Sequence, residues 1–125
     1  WESPVFGALQ SYRRLSEDFQ AVFDAQGAEG LANLSTEAAM DHLRQAALMR
    51  PFAMHDFDEV VYFFTRLSLC IEAEVCDART AKSFFEDTLT SFLENFGPAI
   101  TERQSLDKHF GEALFSLQAR MAQED

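Results

Sequence analysis

The sequence predicts an all-α fold, and three observations carry that reading. Apolar residues recur at intervals of three and four along five segments, the period that gathers side chains onto one side of a helix. No segment alternates apolar and polar residues as a half-buried strand would. Helix punctuation separates the segments, at Gly27 and Gly30, at Pro51 and at Gly97-Pro98. The expected architecture is a single domain over residues 1–125, a bundle of about five helices around a central apolar helix at about 56–74.

The first helix is expected from Ser3 to Gln26. Ser3 offers an N-cap oxygen, and Pro4 falls at the first helical position, where a missing N–H costs nothing. Val5, Leu9, Tyr12, Leu15, Phe19, Val22 and Phe23 form its apolar stripe, and Gly27 and Gly30 are expected to stop it. The second runs from Ser35, as cap, to Met49. Its small face of Ala38, Ala39, Leu43, Ala46 and Ala47 lets a neighbour approach closely, and Pro51 ends it. The third begins at Asp56, read as a cap, and ends at Glu74. It is apolar nearly all round, through Phe57, Val60, Val61, Phe63, Phe64, Leu67, Leu69, Cys70 and Ile71. A narrow wet stripe of Asp58, Thr65 and Glu72, with Glu59 and Arg66 beside it, is all it leaves to water. The fourth starts at Asp77 or Thr80, buries Ala81, Phe84, Phe85, Leu89, Phe92 and Phe96, and stops at Gly97-Pro98. The fifth runs from Ser105 to Gln123 with Leu106, Phe110, Ala113, Leu114, Leu117 and Met121 inward.

Charge bounds the partners. The net charge is −11, with Arg13-Arg14 the longest basic run. Such a field repels phosphate backbones and anionic headgroups, so nucleic acid is not expected as a partner and a membrane surface is a poor candidate. No run of apolar residues is long enough to span a bilayer, so no direct membrane insertion of this segment is expected. Cys70 and Cys76, if carried on one helix, would stand about 9 Å apart at ~1.5 Å per residue. That exceeds the roughly 7 Å a disulfide tolerates, so both are expected as thiols. A chain starting at Trp1 is expected to be a fragment or processed form of a longer one.

Catalytic chemistry leaves little trace. No Glu is followed three residues later by His, as a di-iron bundle would need. The three histidines, His42, His55 and His109, are the only candidate haem ligands, and there is no Cys-x-x-Cys-His. The cluster His55-Asp56-Phe57-Asp58-Glu59 is explained by capping and the helix dipole better than by calcium, whose loop needs a glycine at its sixth position. No nucleophile elbow, P-loop or dinucleotide fingerprint occurs. Catalytic, metal and cofactor residues are therefore assigned to no position, and an enzyme is not expected.

The segments Asp58-Glu59-Val60-Val61-Tyr62-Phe63-Phe64, Glu74-Val75-Cys76-Asp77 and Ser83-Phe84-Phe85-Glu86 carry one resemblance. Together they resemble the cytoplasmic helical domain of an uncharacterised family of membrane-anchored bacterial proteins, over about a third of the chain. The sequence departs from that family at Thr65, where an acid tends to follow the aromatic pair, and at Ala73-Glu74, where the turn often holds Gly. The resemblance implies a regulatory or interaction domain facing the cytoplasm, and no activity. The leading expectation is a non-catalytic protein-interaction or regulatory module, bound to a protein partner, for which the charge favours a basic one, or to a second copy of the chain. The alternatives are a small acidic inhibitor or immunity-type protein that neutralises a basic enzyme, and a ligand- or haem-binding helical sensor. Thirteen Phe residues are more than five helices of this size bury with ease. Phe6 and Phe115, beside their helices' main stripes, and Phe52, in the connector after Pro51, are the expected interaction surface.

Overall fold

The computed structural model describes residues 2–31 and 35–124, with the side chains at 2–4 and 26–31 outside that description. Over the described residues the protein is an all-α bundle, with five helices and no strand. They are α1 (Glu2–Leu31), α2 (Thr36–Leu48), α3 (Ala53–Glu72), α4 (Ala78–Arg103) and α5 (Glu112–Ala122). No helix among these residues is long and apolar enough to cross a membrane. The chain forms two compact units, Trp1–Val60 and Val61–Asp125, and the boundary falls within α3.

In the first unit, α1 begins at Glu2, so Ser3 lies inside the helix rather than before it, and its side chain is outside the described residues. The helix continues through Gly27 and Gly30 to Leu31. Each glycine costs about 1 kcal/mol against Ala in a helix, and Gln26, Ala28, Glu29 and Leu31 around them are good helix formers. The buried stripe is Ala8, Ser11, Leu15 and Val22, which turns Leu9 and Phe23 outward, against expectation. Against α1 packs α2, whose Ser35 cap accepts from the Ala38 N–H at 3.1 Å. Val22, Leu43 and Ala47 form the seam, with Phe19, Met40 and Ala46 packed on it. Ala38 stays exposed, and Arg44 is buried in its place.

Asp56 does not cap α3. The helix starts one turn earlier, at Ala53, and the residue preceding it is Phe52. The Asp56 carboxylate turns instead to Arg14, far away in sequence. The wet face of α3 is also broader than a narrow stripe, because Tyr62 and Leu69 stand on it beside Asp58, Glu59 and Arg66.

In the second unit, Phe63, Phe64 and Phe85 meet edge to face, with centroids 5.2, 5.4 and 6.5 Å apart. Phe64 is buried, whereas Phe84, expected inward, faces water. Asp77 caps α4, accepting from both the backbone N–H and the hydroxyl of Thr80. These bonds, the hydroxyl's first, hold the Asp77 carboxyl below its ordinary range.

Gly97-Pro98 does not end α4, which runs on to Arg103. Pro98 itself is exposed, but Phe96, Ala99 and Ile100 around it are buried. Burying Phe96 and Ile100 contributes about 1.5–3 kcal/mol each, enough to offset the roughly 3 kcal/mol of an interior proline. The fifth helix starts late in consequence. Residues 104–110 form turns fastened by Gln104 Nε2 donating to the Phe110 carbonyl at 2.8 Å. Leu106 is left in water, and α5 starts at Glu112.

Cys70 and Cys76 are joined by a disulfide, contrary to the spacing argument. The separation of about 9 Å holds only on one continuous helix, and α3 ends at Glu72. Glu74 takes a left-handed backbone, φ 61°. The Glu74 N–H donates to the Ile71 carbonyl, and the Val75 and Cys76 N–H groups both donate to the Cys70 carbonyl. The first two of these bonds are the Schellman pattern, which folds the chain back over its last turn. The two Cα atoms thereby come within 5.2 Å, inside the range a disulfide spans. The motif ordinarily uses glycine at the left-handed position, so its absence hid the turn.

Candidate functional site

The link between α2 and α3 is short and its geometry is tight. Arg50, Pro51, Phe52 and Ala53 make a turn closed by the Ala53 N–H donating to the Arg50 carbonyl at 3.1 Å. Proline presets the backbone at the second position of such a turn. The third position here is left-handed, φ 66°, and it is occupied by Phe52. Glycine or asparagine would sit there at little cost, while a side chain such as phenylalanine costs about 1–2 kcal/mol. That cost is not repaid by packing, since Phe52 is 80% exposed. Met49 and Met54 stand on either side of it, and both are exposed. The link is thus an apolar knuckle of two flexible thioethers and one aromatic ring.

The base of the knuckle is tied by ion pairs. Asp56, 2% exposed, is gripped by Arg14 through two nitrogens, Nη2 at 2.6 Å from Oδ1 and Nε at 3.0 Å from Oδ2. Arg14 Nη2 also donates to the Ser11 hydroxyl at 3.3 Å. The bond to Asp56 is the main reason the Arg14 guanidinium holds its proton more tightly than usual. Arg50 Nε pairs with Asp18 at 2.9 Å, and Arg13 with Glu17 at 3.4 Å. Between these groups and the Phe52 ring opens a cleft of about 460 Å³, with His55 on its rim. Each of the three acids at the base has its arginine, so this patch carries no excess negative charge.

Of the three aromatic residues singled out from the sequence, Phe6 and Phe52 are in the first unit and Phe115 is in the second. Phe6, on α1, is 64% exposed beside the exposed Leu9. Phe115, on α5, is 39% exposed. It borders a groove of about 410 Å³ against α4, with Leu89 and Met121 among its lining residues. Met49, Met54 and the Arg14–Asp56 pair lie outside the residues singled out from the sequence. Met49 and Met54 flank Pro51 within three residues on either side, a signal that was legible. The pairing of Arg14 with Asp56 was not.

The histidines are dispersed. His42 and His55 are exposed, and His109 Nδ1 lies 2.9 Å from Glu112 Oε2, a bond that raises the His109 pKa. Among the described residues no three His, Cys, Asp or Glu side chains gather as a metal site. Compared with protein-family models, curated proteins and solved structures, the chain has no match in any of the three.

Proposed function

We propose that the protein is a non-catalytic interaction module and that the α2–α3 knuckle is the surface it presents to a protein partner. The observation that carries this reading is Phe52, a large apolar side chain at φ 66° and 80% exposed. Strained backbone that packing does not reward is retained where it serves a function. An aromatic ring flanked by methionines suits an apolar pocket on another protein, with Phe52 as anchor and the thioethers adapting around it. Because the acids at its base are already paired, the partner is chosen here by shape and apolar contact. The overall charge of −11 acts at longer range, speeding the approach of basic partners and keeping nucleic acid away.

The Cys70–Cys76 disulfide supports an oxidising compartment in place of the expected cytoplasm.

The test places a photo-crosslinking phenylalanine analogue at position 52 and, as control, at the exposed Phe84. The expected result is one discrete adduct from position 52, competed by excess unlabelled wild-type chain and not by Phe52→Asn. An adduct of twice the chain mass identifies the partner as a second copy. Diffuse labelling at 52, equal to that at 84, contradicts the reading.

A further inference from the structure

The second unit holds a cleft of about 520 Å³ between the C-terminal turn of α3 and α5. Ile71 and Leu117, both buried, line its apolar part. Ser68 lines it too, and this serine is only 4% exposed. Among the described residues no hydrogen bond is made by its hydroxyl, whereas Thr65, one turn earlier, bonds back to the Val61 carbonyl. No fully enclosed side-chain nitrogen or oxygen among these residues lacks a partner, so the Ser68 hydroxyl opens on the cleft. A nearly buried hydroxyl without a protein partner takes its hydrogen bond from whatever enters the cleft, water or a ligand atom.

The charges around it call for a cation. Glu72 ends α3 and Glu74 occupies the left-handed position just beyond, and both line the cleft. They stand at the negative end of the helix dipole, where acids are repelled and cations are favoured. The last turn of α3 carries no basic residue, and neither glutamate makes an ion pair among the described residues. Arg120, the cation on the cleft wall, is already paired with Glu124. The disulfide pins the turn that carries Glu74.

We propose that this cleft binds a primary ammonium group on a short alkyl stem. The ammonium donates to the Glu72 and Glu74 carboxylates and to the Ser68 hydroxyl, and the stem lies along Ile71 and Leu117. Three donors on one small charge match three acceptors, and the apolar floor matches methylenes. The site lies wholly in the second unit and does not rest on the reading of Phe52. The ammonium belongs either to a free alkylamine or to a lysine side chain of another protein.

Nitrogen-15 NMR titration of the oxidised full chain tests it, with cadaverine and Nα-acetyl-lysinamide as the two amines and pentanol and calcium chloride as controls. Both amines are expected to shift the amides of Ser68, Glu72 and Glu74 saturably, and pentanol to leave them unmoved. Glu72→Gln and Glu74→Gln each weaken binding about tenfold, the usual size of one lost charged hydrogen bond, and Ser68→Ala weakens it less. Cadaverine binding more tightly assigns the site to a free amine, and lysinamide binding more tightly assigns it to a protein side chain. Absence of saturable shifts with either amine, wild-type affinity in both Gln variants, or displacement by equimolar calcium overturns the proposal.

Discussion

Two helices of this protein start from left-handed residues without a side-chain cap, and they use opposite solutions. At the start of α5 the residue is Gly111, φ 68° and buried. A Cβ there would sit 2.5 Å from Ile100 Cγ2, so both backbone and packing demand glycine. At the start of α3 the residue is Phe52, with nearly the same φ and almost its whole ring in water. Gly111 is explained by the fold. Phe52 is tolerated by the fold and explained by nothing inside it, which is why an interaction surface is proposed there.

The largest effect belongs to the packed turn. Gly111→Ala is expected to cost about 2–4 kcal/mol in urea denaturation, combining left-handed strain with overpacking against Ile100. A cost under 1 kcal/mol, well below that range, would dissolve the contrast between the turns.

Next comes the base of the knuckle. Arg14→Ala leaves the Asp56 carboxylate buried without its partner and should cost about 2 kcal/mol. The figure is below that for breaking an enclosed pair, because the Arg14 side chain is half open to water. An unchanged denaturation midpoint would show that Asp56 finds water instead.

Glu74 is a third left-handed residue and, like Phe52, it is exposed. Glu74→Gly should stabilise the oxidised chain by about 0.5–1 kcal/mol, the relieved strain less the added freedom of the unfolded state. Destabilisation would mean that the side chain holds the turn.

The smallest effects are at the helix starts and depend on pH. Asp77 has a folded pKa below its unfolded value near 3.8, so its contribution is complete above that pH and vanishes as the medium is acidified through the folded value. His109 has a folded pKa above 6.5. Its contribution is complete below that pH and vanishes as pH rises through the folded value. Denaturation of Asp77→Ala and His109→Ala beside wild type should therefore converge with it at opposite ends of the pH range. Convergence at the same end would refute the pairing of one of them.

What was legible in the sequence was local. Ser35 and Asp77 each bring their own oxygen to nearby N–H groups, so those caps were readable, as was the burial of Phe64 and Leu117 on regular stripes. What was hidden depended on distant partners or on unusual backbone. The helix passes Pro98 because Phe96 and Ile100 are buried, and Asp56 reaches Arg14 instead of capping. The disulfide needs a left-handed glutamate that no propensity announces. Phe52 was half legible, because its place after Pro51 pointed outward and its positive φ could not be read.

The most direct test of the central claim is the stability of Phe52→Asn in urea. Asparagine tolerates the left-handed backbone, and little buried surface is lost with a ring this exposed. The variant is therefore expected to be more stable than wild type by about 0.5–1 kcal/mol while losing the ability to compete for the position-52 adduct. A variant less stable than wild type by 1 kcal/mol or more, with a magnitude matching lost core packing, would show that Phe52 serves the fold, and the knuckle would lose its claim to be a binding surface.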